Sequence, residues 1–329
     1  MRETEAEREK RKHSLEARLA SLRIAQLKMT PIEGKFDAEH LQAINKHIFQ
    51  DMLKHGFPEY TPGEFRPETP AGSDRIKGRY LEGTTSPADP TIVAYSSMDE
   101  ASKRQLNDIL KEANPKTLST LKTAEFTKKI ADIYSSVDYI HPFEEGNSRT
   151  LRLFTAQLAQ ESGYTIEWEK LNENKFGRSL LYIARDKAVN AIAVEKIQNH
   201  SHKIAIINTL DRLEKNKDLN SLLEDIVKPS RAIAFEKLSP TEALKKHPEL
   251  LLFYKFAQEA KEKYTKEYPD NPEAVGKEMQ ALRVGIQDVL NKGENTEQVL
   301  RTGLQDMLKK NQINQTNSVQ KKTPNDLER

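Results

Sequence analysis

Apolar residues recur at spacings of three and four along most of the chain, the period of a helix with one buried face. Helices are predicted over residues 3–29, after the N-cap residue Asp37, from Thr123 up to a His-Pro pair, and directly after that pair. Their apolar positions are Leu15, Leu19, Leu22, Ala25 and Met29; Leu41, Ile44, Ile48 and Met52; Phe126, Ile130, Ile133 and Val137; and Leu151, Phe154 and Leu158. The predicted fold class is therefore mostly α.

The stretch 57–90 interrupts this periodicity with many prolines and glycines. The short apolar run Thr91–Tyr95 behind it is predicted to be one strand of a small β-hairpin, with residues 75–80 as the other strand. A helix is predicted to follow from a capping box formed by Ser97 and Glu100. A further helix is predicted from about Asn174.

Beyond residue 198 the helical period continues, but lysine and glutamate become more frequent. Ser239, Pro240 and Glu242 together predict a capped helix start, and two later apolar stripes predict a packed helix pair. The predicted organisation is an N-terminal amphipathic helix in 1–33, a catalytic core in 34–198, a small helical domain in 199–309 and a disordered tail in 310–329.

The composition narrows the classes of function. The 329 residues are 36% hydrophobic and 31% charged, with a net charge of +2 and no cysteine. Disulfides, thiolate nucleophiles and cysteine-type zinc sites are excluded, and the small net charge argues against a nucleic-acid partner. There is no apolar run of about 20 residues and no apolar leader, which predicts a cytoplasmic protein without a membrane partner.

Candidate chemistry is concentrated between His141 and Arg152. This stretch places a histidine, two glutamates, a Gly-Asn turn and two arginines around one predicted helix start. A histidine can accept a hydroxyl proton near neutral pH, and a carboxylate can hold a hard divalent cation. A helix N-terminus with nearby guanidinium groups can bind polyphosphate oxygens. The stretch is therefore predicted to handle a nucleotide phosphate.

The stretch resembles the signature of the Fic/Doc family, His-Pro-Phe-x-(Asp/Glu)-Gly-Asn-Gly-Arg-x-x-Arg, and matches it in spacing throughout. The stretch 58–100 and the segment around 168–190 are similar to plasmid- and conjugation-associated members, and the resemblance to the family covers roughly residues 10–200 in total. The resemblance implies a Fic-type helical core with a small β-hairpin flap that holds the target by strand addition. It also implies a protein adenylyltransferase, a toxin or effector that transfers AMP from ATP to a Ser, Thr or Tyr hydroxyl of a target protein, with Mg2+ as cofactor. Such a protein works in the cytoplasm or after translocation into a recipient or host cell.

Each residue of the motif receives a role on this hypothesis. His141 is the predicted general base, and Glu145 is the predicted Mg2+ ligand, with Glu144 as the exposed alternative. Arg149 and Arg152, three residues apart on one helical face, are predicted to act catalytically on the leaving pyrophosphate. The predicted nucleotide-binding residues are Gly146, Asn147, Ser148, Arg149 and Arg152.

Ser148 stands where the family pattern has its second glycine. A Cβ and a hydroxyl beside the bound phosphates could lower or redirect the activity, or could themselves contact phosphate. Two alternatives to AMP transfer therefore stay open. One is a Doc-like transfer of phosphate to a protein, and the other is a catalytically weak helical binding or adaptor module.

Fic enzymes are commonly restrained by a helix of pattern (Ser/Thr)-x-x-x-Glu-(Gly/Asn), whose glutamate pairs with the second motif arginine, here Arg152. The matches to the first part, at Ser96 and Thr165, are followed by Ala101 and Lys170 instead of Gly or Asn. The leading helix has no match. The resemblance therefore predicts that a separate small antitoxin supplies the inhibitory glutamate.

Overall fold

The computed structural model describes residues 4–82, 84, 89–171 and 175–294. The chain forms two compact units, Met1–Val227 and Lys228–Arg329. The predicted disordered tail, 310–329, and Asn174, where a helix was predicted to start, lie outside the described residues. Among the described helices, none combines the length and the apolar character that crossing a membrane requires.

The first unit is mostly helical. Its helices are α1 (Glu5–Met29), α2 (Ala38–Phe49), α3 (Asp51–Lys54), α4 (Glu100–Lys111), α5 (Pro115–Leu118), α6 (Thr123–Ile140), α7 (Asn147–Glu161), α8 (Lys175–Ala193), α9 (His200–Leu213) and α10 (Leu219–Glu224). A central cluster of buried side chains from α2, α4, α6, α7 and α8 forms its core. The predicted fold class, a mostly α core with a small β-hairpin that is followed along the chain by further helices, is confirmed.

Two small sheets complete the first unit. Strands β1 (Arg75–Arg79) and β2 (Thr91–Tyr95) pair antiparallel, with Arg75 opposite Tyr95 and Arg79 opposite Thr91, as the predicted hairpin requires. Strands β3 (Tyr164–Ile166) and β4 (Val227–Pro229) form the second sheet, and Val227 is the last residue of the first unit. The sequence analysis did not predict this second sheet.

Side chains of two helices form hydrogen bonds with the backbone at the outer edge of β2. The Asn190 side chain on α8 donates to the carbonyl of Ile92 (2.8 Å) and accepts from the amide of Ala94 (3.2 Å), as a neighbouring strand would. Thr209 on α9 accepts from the amide of Ile92 at 3.3 Å. Because buried peptide groups require partners, these bonds fix the hairpin against α8 and α9.

A buried arginine holds the C-terminal end of α6. Arg66 is 3% exposed, and its guanidinium donates to the carbonyls of His141 (2.7 Å), Ile140 (3.3 Å) and Ser96 (2.6 Å). Its own amide donates to the carbonyl of Pro142 (2.8 Å). The carbonyls of Ile140 and His141 lie at the C-terminal end of α6, where the last acceptors have no donors within the helix and where the helix dipole favours a cation. Burial lowers the pKa of Arg66 to about 10, so the group remains charged at neutral pH.

Two local predictions are wrong. The helix predicted from a Ser97 cap begins at Glu100, because the side chain of Asp99 accepts from the amide of Ser102 at 2.7 Å and is the N-cap. In α1 the predicted apolar face is misplaced: Leu22 and Met29 are 56% and 87% exposed, whereas Ala20 and Leu27 are buried. The buried face of α1 also includes the carboxylate of Glu16, which pairs with Arg149 of the same unit.

The boundary between the two compact units does not coincide with the predicted boundary after residue 198. It falls after Val227, because α9 and α10 pack on the first unit. Leu219, Leu222 and Leu223 of α10 are buried in the same core as α6 and α8. Helical periodicity does not reveal which core a stripe joins, so the functional division after residue 198 stays a prediction.

The second unit, described for residues 228–294, has its own small core. Its helices are α11 (Ser230–Lys237), α12 (Pro240–Lys246), α13 (Leu251–Glu267) and α14 (Pro272–Asn291). Ser239 caps α12 in a capping box with Glu242, as predicted. Helices α13 and α14 pack together as predicted, and Phe253, Ile286 and Leu290 lie in the core of this unit.

We predict that Arg66→Ala destabilises the first unit strongly. The substitution removes a buried charged donor from the carbonyls of His141, Ile140 and Ser96, so the free energy of unfolding should fall by about 3–5 kcal/mol. Urea unfolding followed by circular dichroism measures the change. The exposed Arg104 on α4 offers a control, since Arg104→Ala should change the value by less than about 0.5 kcal/mol. Equal effects of the two variants would contradict this account of the Arg66 contacts.

Candidate functional site

The seven predicted site residues line one cavity of about 750 Å³. They are His141, Glu145, Gly146, Asn147, Ser148, Arg149 and Arg152. The loop between α6 and α7 and the first turns of α7 bring them together, as the motif spacing predicts. Side chains of β1, β2 and α8 line the rest of the cavity.

His141 is the residue at which α6 ends. Its backbone is left-handed (φ 50°, ψ 58°), and its amide donates to the carbonyl of Val137 at 3.1 Å. A non-glycine residue rarely adopts this conformation, and the Arg66 contacts to the neighbouring carbonyls hold it here. The side chain thereby turns away from the helix axis toward the hairpin.

The His141 ring is 6% exposed and is enclosed by groups from several elements. It stacks on the ring of Tyr95 from β2, with ring centroids 3.8 Å apart. The ammonium of Lys77 from β1 lies 3.3 Å from Nε2, and a carboxylate oxygen of Asp138 lies 3.8 Å from Nδ1. Burial lowers the pKa of His141 to about 4, and the charges of Lys77 and Arg185 act in the same direction, whereas Asp138 opposes the shift. The ring is therefore neutral at physiological pH and can accept a proton.

The turn after His141 is built tightly. Asn147 binds both backbone groups of Phe143: its Oδ1 accepts from the amide at 2.9 Å, and its Nδ2 donates to the carbonyl at 2.6 Å. Gly146 has φ 81°, and a Cβ there would lie 2.0 Å from the ring of Phe49. The backbone conformation and the approach of Phe49 both require glycine. The Asn147 side chain therefore braces the loop, whereas the prediction had directed it toward phosphate.

The first turn of α7 faces the cavity. The first helical bond is from the amide of Thr150 to the carbonyl of Gly146, so the amides of Asn147, Ser148 and Arg149 have no acceptor within the helix. Amides in this position, together with the helix dipole, favour an anion. Asn45 on α2 fixes the turn by donating to the carbonyl of Glu145 at 3.2 Å.

The cavity has a cationic lining. Six cationic side chains and two carboxylates line it among the described residues, and this excess suits a polyphosphate. The cations are Lys77, Arg79, Arg149, Arg152, Arg178 and Arg185; the carboxylates are Glu144 and Glu145. Sequence reasoning had not singled out Lys77, Arg79 or Arg185, because they lie far from the motif in the sequence.

The two motif arginines have different surroundings. Arg149 pairs with Glu16 of α1, and its guanidinium lies over the ring of Phe49 at 4.7 Å. Burial favours a raised pKa for Glu16, but the Arg149 guanidinium and the hydrogen bond from the Tyr60 hydroxyl together outweigh it and keep the pKa below its ordinary value. Arg152 donates from Nε to the carbonyl of Ser148 at 3.3 Å. The Glu16 contact was not predicted, since nothing in the charged N-terminal segment distinguishes this glutamate.

The two glutamates of the loop differ in their partners. Glu144 binds Arg75 of β1 at 2.7 Å, whereas Glu145 has no cation within salt-bridge distance among the described residues. Glu145 is exposed and lines the cavity. No group of three or more histidine, aspartate or glutamate side chains in the described part of the chain could hold a metal ion alone. A magnesium ion would fit only as in nucleotide sites, with one carboxylate, phosphate oxygens and water.

Helix α8 contributes a buried charged layer behind the motif. Arg185 binds both carboxylate oxygens of Asp138, at 2.8 and 2.9 Å, and donates from Nη1 to the hydroxyl of Ser148 at 3.1 Å. Burial favours a raised pKa for Asp138, but the Arg185 guanidinium and the facing His141 ring together outweigh it and hold the pKa well below its ordinary value. Next in the chain, Asp186 lies 3.4 Å from the guanidinium of Arg79 on β1, and burial raises the pKa of Asp186 to about 6.

Comparison with known proteins agrees with the motif. The chain is 29% identical to a protein adenylyltransferase, VbhT, of Bartonella schoenbuchensis over 165 residues, which are 50% of this chain and 30% of that protein. It is 20% identical over 161 residues to a probable protein adenylyltransferase, Fic, of Escherichia coli, covering 49% of this chain and 68% of that one. The chain thus spans about a third of the length of VbhT.

A similar solved structure is that of BepC, a VirB-translocated effector protein of Bartonella tribocorum crystallised with AMPPNP. It aligns with a TM-score of 0.43 and 18% identity over 67% of this chain and 88% of that chain. Residues 35–159 match the model of the Fic/DOC family, so the chain carries a domain of the Fic/DOC family.

Proposed function

We propose that this chain is a protein adenylyltransferase that transfers AMP from ATP to a hydroxyl side chain of a target protein. The observation that carries the proposal is the neutral, buried His141 ring beside the first turn of α7, in a cavity with excess positive charge. Both kinds of group needed for transfer, a base for the hydroxyl and donors for the phosphates, thus lie in one cavity. The adenylyltransferase relatives agree with this assignment.

In the proposed reaction the target hydroxyl oxygen attacks the α-phosphorus of ATP. A bond forms between that oxygen and the phosphorus, the bond to the oxygen that bridges the α- and β-phosphates breaks, and pyrophosphate leaves. Nε2 of His141 takes the hydroxyl proton. The amides at the start of α7 and the guanidinium groups of Arg149 and Arg152 bind the phosphates and stabilise the charge that develops on pyrophosphate.

The geometry at Ser148 favours an active enzyme over an inactive adaptor. The Ser148 hydroxyl accepts a hydrogen bond from Arg185 and is thereby held by α8. The amides of the same turn have no acceptor within α7. A serine held in this way does not by itself remove the phosphate site that the family pattern builds with glycine.

We further propose that the target segment lies along β1 and extends the hairpin. Side chains of α8 and α9 occupy the outer edge of β2, which leaves the edge of β1 for strand addition.

For regulation we propose a separate small antitoxin that supplies a glutamate to Arg152. In the described part of the chain, Glu16 binds Arg149 instead. Full activity of the purified chain without a co-encoded partner would contradict the antitoxin proposal.

Transfer of label from ATP tests the reaction. With ATP labelled at the α-phosphate and a cell lysate as target, the chain should label protein, and His141→Ala should lower the rate at least about 100-fold because the base is lost. His200→Ala, at an exposed histidine on α9, is the control. Label transferred from the γ-phosphate alone would indicate phosphate transfer, and labelling unchanged by His141→Ala would contradict the role of the base.

The rate should depend little on pH in the mildly acidic range. Since the pKa of His141 is lowered to about 4, the ring stays neutral and able to accept a proton above that value. We therefore expect kcat/KM to remain level from about pH 8 down to about pH 5 and to fall only below that. A steady-state pH profile measures this dependence. A fall centred near the ordinary histidine value of about 6.5 would contradict it.

Activity should require a divalent cation held in part by Glu145. Removal of divalent cations with EDTA should abolish labelling, and added Mg2+ should restore it. Glu145→Gln should raise the Mg2+ concentration needed for half-maximal rate about tenfold, because a neutral amide is a weaker ligand for a hard cation. Glu144→Gln, at the neighbouring glutamate that binds Arg75, is the matched control. An equal Mg2+ requirement in both variants would contradict the assignment of Glu145.

A further inference from the structure

A fully buried ion pair lies directly behind the proposed base. The side chains of Arg185 and Asp138 are 2% and 1% exposed, and the guanidinium binds the two carboxylate oxygens at 2.8 and 2.9 Å. Removing two charges from water is costly, and a buried pair often stabilises a fold no better than apolar side chains of similar volume. The role of the pair is therefore indicated by the other groups that it contacts, His141 and Ser148.

The carboxylate faces the histidine. The Asp138 oxygen nearest to the ring lies 3.8 Å from Nδ1 of His141, and Nδ1 has no hydrogen-bond partner among the described residues. On the other side of the ring, the ammonium of Lys77 lies 3.3 Å from Nε2. An ammonium only donates and a carboxylate only accepts, so these two neighbours favour a proton on Nδ1 and a lone pair on Nε2. Nε2 is the atom that must accept the hydroxyl proton.

The guanidinium faces the phosphate-binding turn. While two of its nitrogens bind Asp138, the third donates to the Ser148 hydroxyl at 3.1 Å. A planar guanidinium can make these bonds at once in a fixed geometry, which an ammonium cannot. One side chain of α8 therefore connects the end of α6, where the base lies, with the first turn of α7.

We propose that Asp138 and Arg185 are positioning residues of this site. Asp138 orients the His141 ring with Nε2 toward the cavity, and Arg185 fixes both Asp138 and the Ser148 turn. The proposal rests on the proposed function. When Nε2 takes the proton of the hydroxyl, the ring becomes an imidazolium with an Nδ1–H that faces the Asp138 carboxylate, and this charge pairing stabilises the protonated ring. The other groups that face the ring are Lys77 of β1 and Tyr95 of β2.

The tautomer of His141 in the unmodified chain is the first test. Nitrogen-15 NMR of the intact protein at neutral pH, with the His141 signals identified by their loss in His141→Asn, distinguishes the two ring nitrogens. A proton on Nδ1 is the expected result. A proton on Nε2 would overturn the proposal, because the lone pair would then face Asp138.

Kinetics of variants are the second test. Asp138→Asn should lower kcat about 10- to 100-fold, because the amide no longer stabilises the imidazolium, while KM for ATP changes less than about threefold. A purely structural role would raise KM or lower the amount of folded protein instead. Arg185→Lys, which retains the charge but cannot bind Asp138 and Ser148 in the same geometry, should also lower kcat.

Asp138→Asn alone leaves the Arg185 charge buried without a partner, so this variant could fail to fold. The double variant Asp138→Asn/Arg185→Gln removes both charges and should fold, still with kcat lowered at least about tenfold. A folded double variant with kcat within about twofold of the unmodified chain would overturn the proposal. Asp51→Asn is the matched control for the tautomer, because Asp51 is bound by Arg23 through the same kind of paired contact away from the cavity.

The two proposals can fail separately. If the unmodified chain labels no protein but carries the His141 proton on Nδ1, the proposed function fails and the ring orientation stands. If it labels protein but carries the proton on Nε2, the transfer stands and the positioning role of Asp138 and Arg185 fails.

Discussion

The geometry of the site depends on how α6 is ended. A helix leaves carbonyls without donors at its C-terminus, and here one buried guanidinium, that of Arg66, satisfies the carbonyls of Ile140 and His141 together with that of Ser96. Since the carbonyl of Ser96 directly follows β2, the same group connects the hairpin to the helix end. The left-handed backbone of His141 is the strained conformation that these bonds hold. The ring consequently leaves the helix in one direction, toward Tyr95 and Lys77.

Most of the helical framework could be predicted from the sequence because it follows from periodicity and capping. Asp37 and Ser239 cap the helices that their positions predict, and the apolar stripe of α6 is buried as expected. Periodicity failed where a polar group is buried. In α1 the apolar period predicted that Leu22 and Met29 are buried. In the structure these two residues are exposed, and Glu16 is buried where it pairs with Arg149. A tertiary ion pair of this kind has no local signal, so the sequence could not reveal it.

In the candidate site, too, some residues could be predicted from the sequence and others could not. The motif residues are contiguous, so their meeting in one cavity follows from the turn between two helices. Lys77 and Arg79 of β1, which lie close to these residues, come about 60 residues before the motif, and Arg185 of α8 comes about 30 residues after it. One signal in the sequence was available: Arg185, Asp186 and Asn190 are polar residues at positions of α8 whose neighbours Leu181, Ala184 and Val189 are apolar and buried. Polar residues on the buried face of a helix require partners, and a search for such residues would have indicated α8.

Helix α8 determines how the hairpin and the base lie relative to each other. Asn190 binds the backbone of β2, Asp186 pairs with Arg79 of β1, and Arg185 binds Asp138 beside His141. Asp186 and Asn190, four residues apart, lie on one face of the helix, and Arg185 lies about 100° around the helix from Asp186. Because a helix is rigid over two turns, a displacement of the hairpin relative to the base requires breaking at least one buried contact, and leaving a buried charge unpaired is costly. The strand that we propose to hold the target and the ring that we propose to activate its hydroxyl are therefore fixed to the same element.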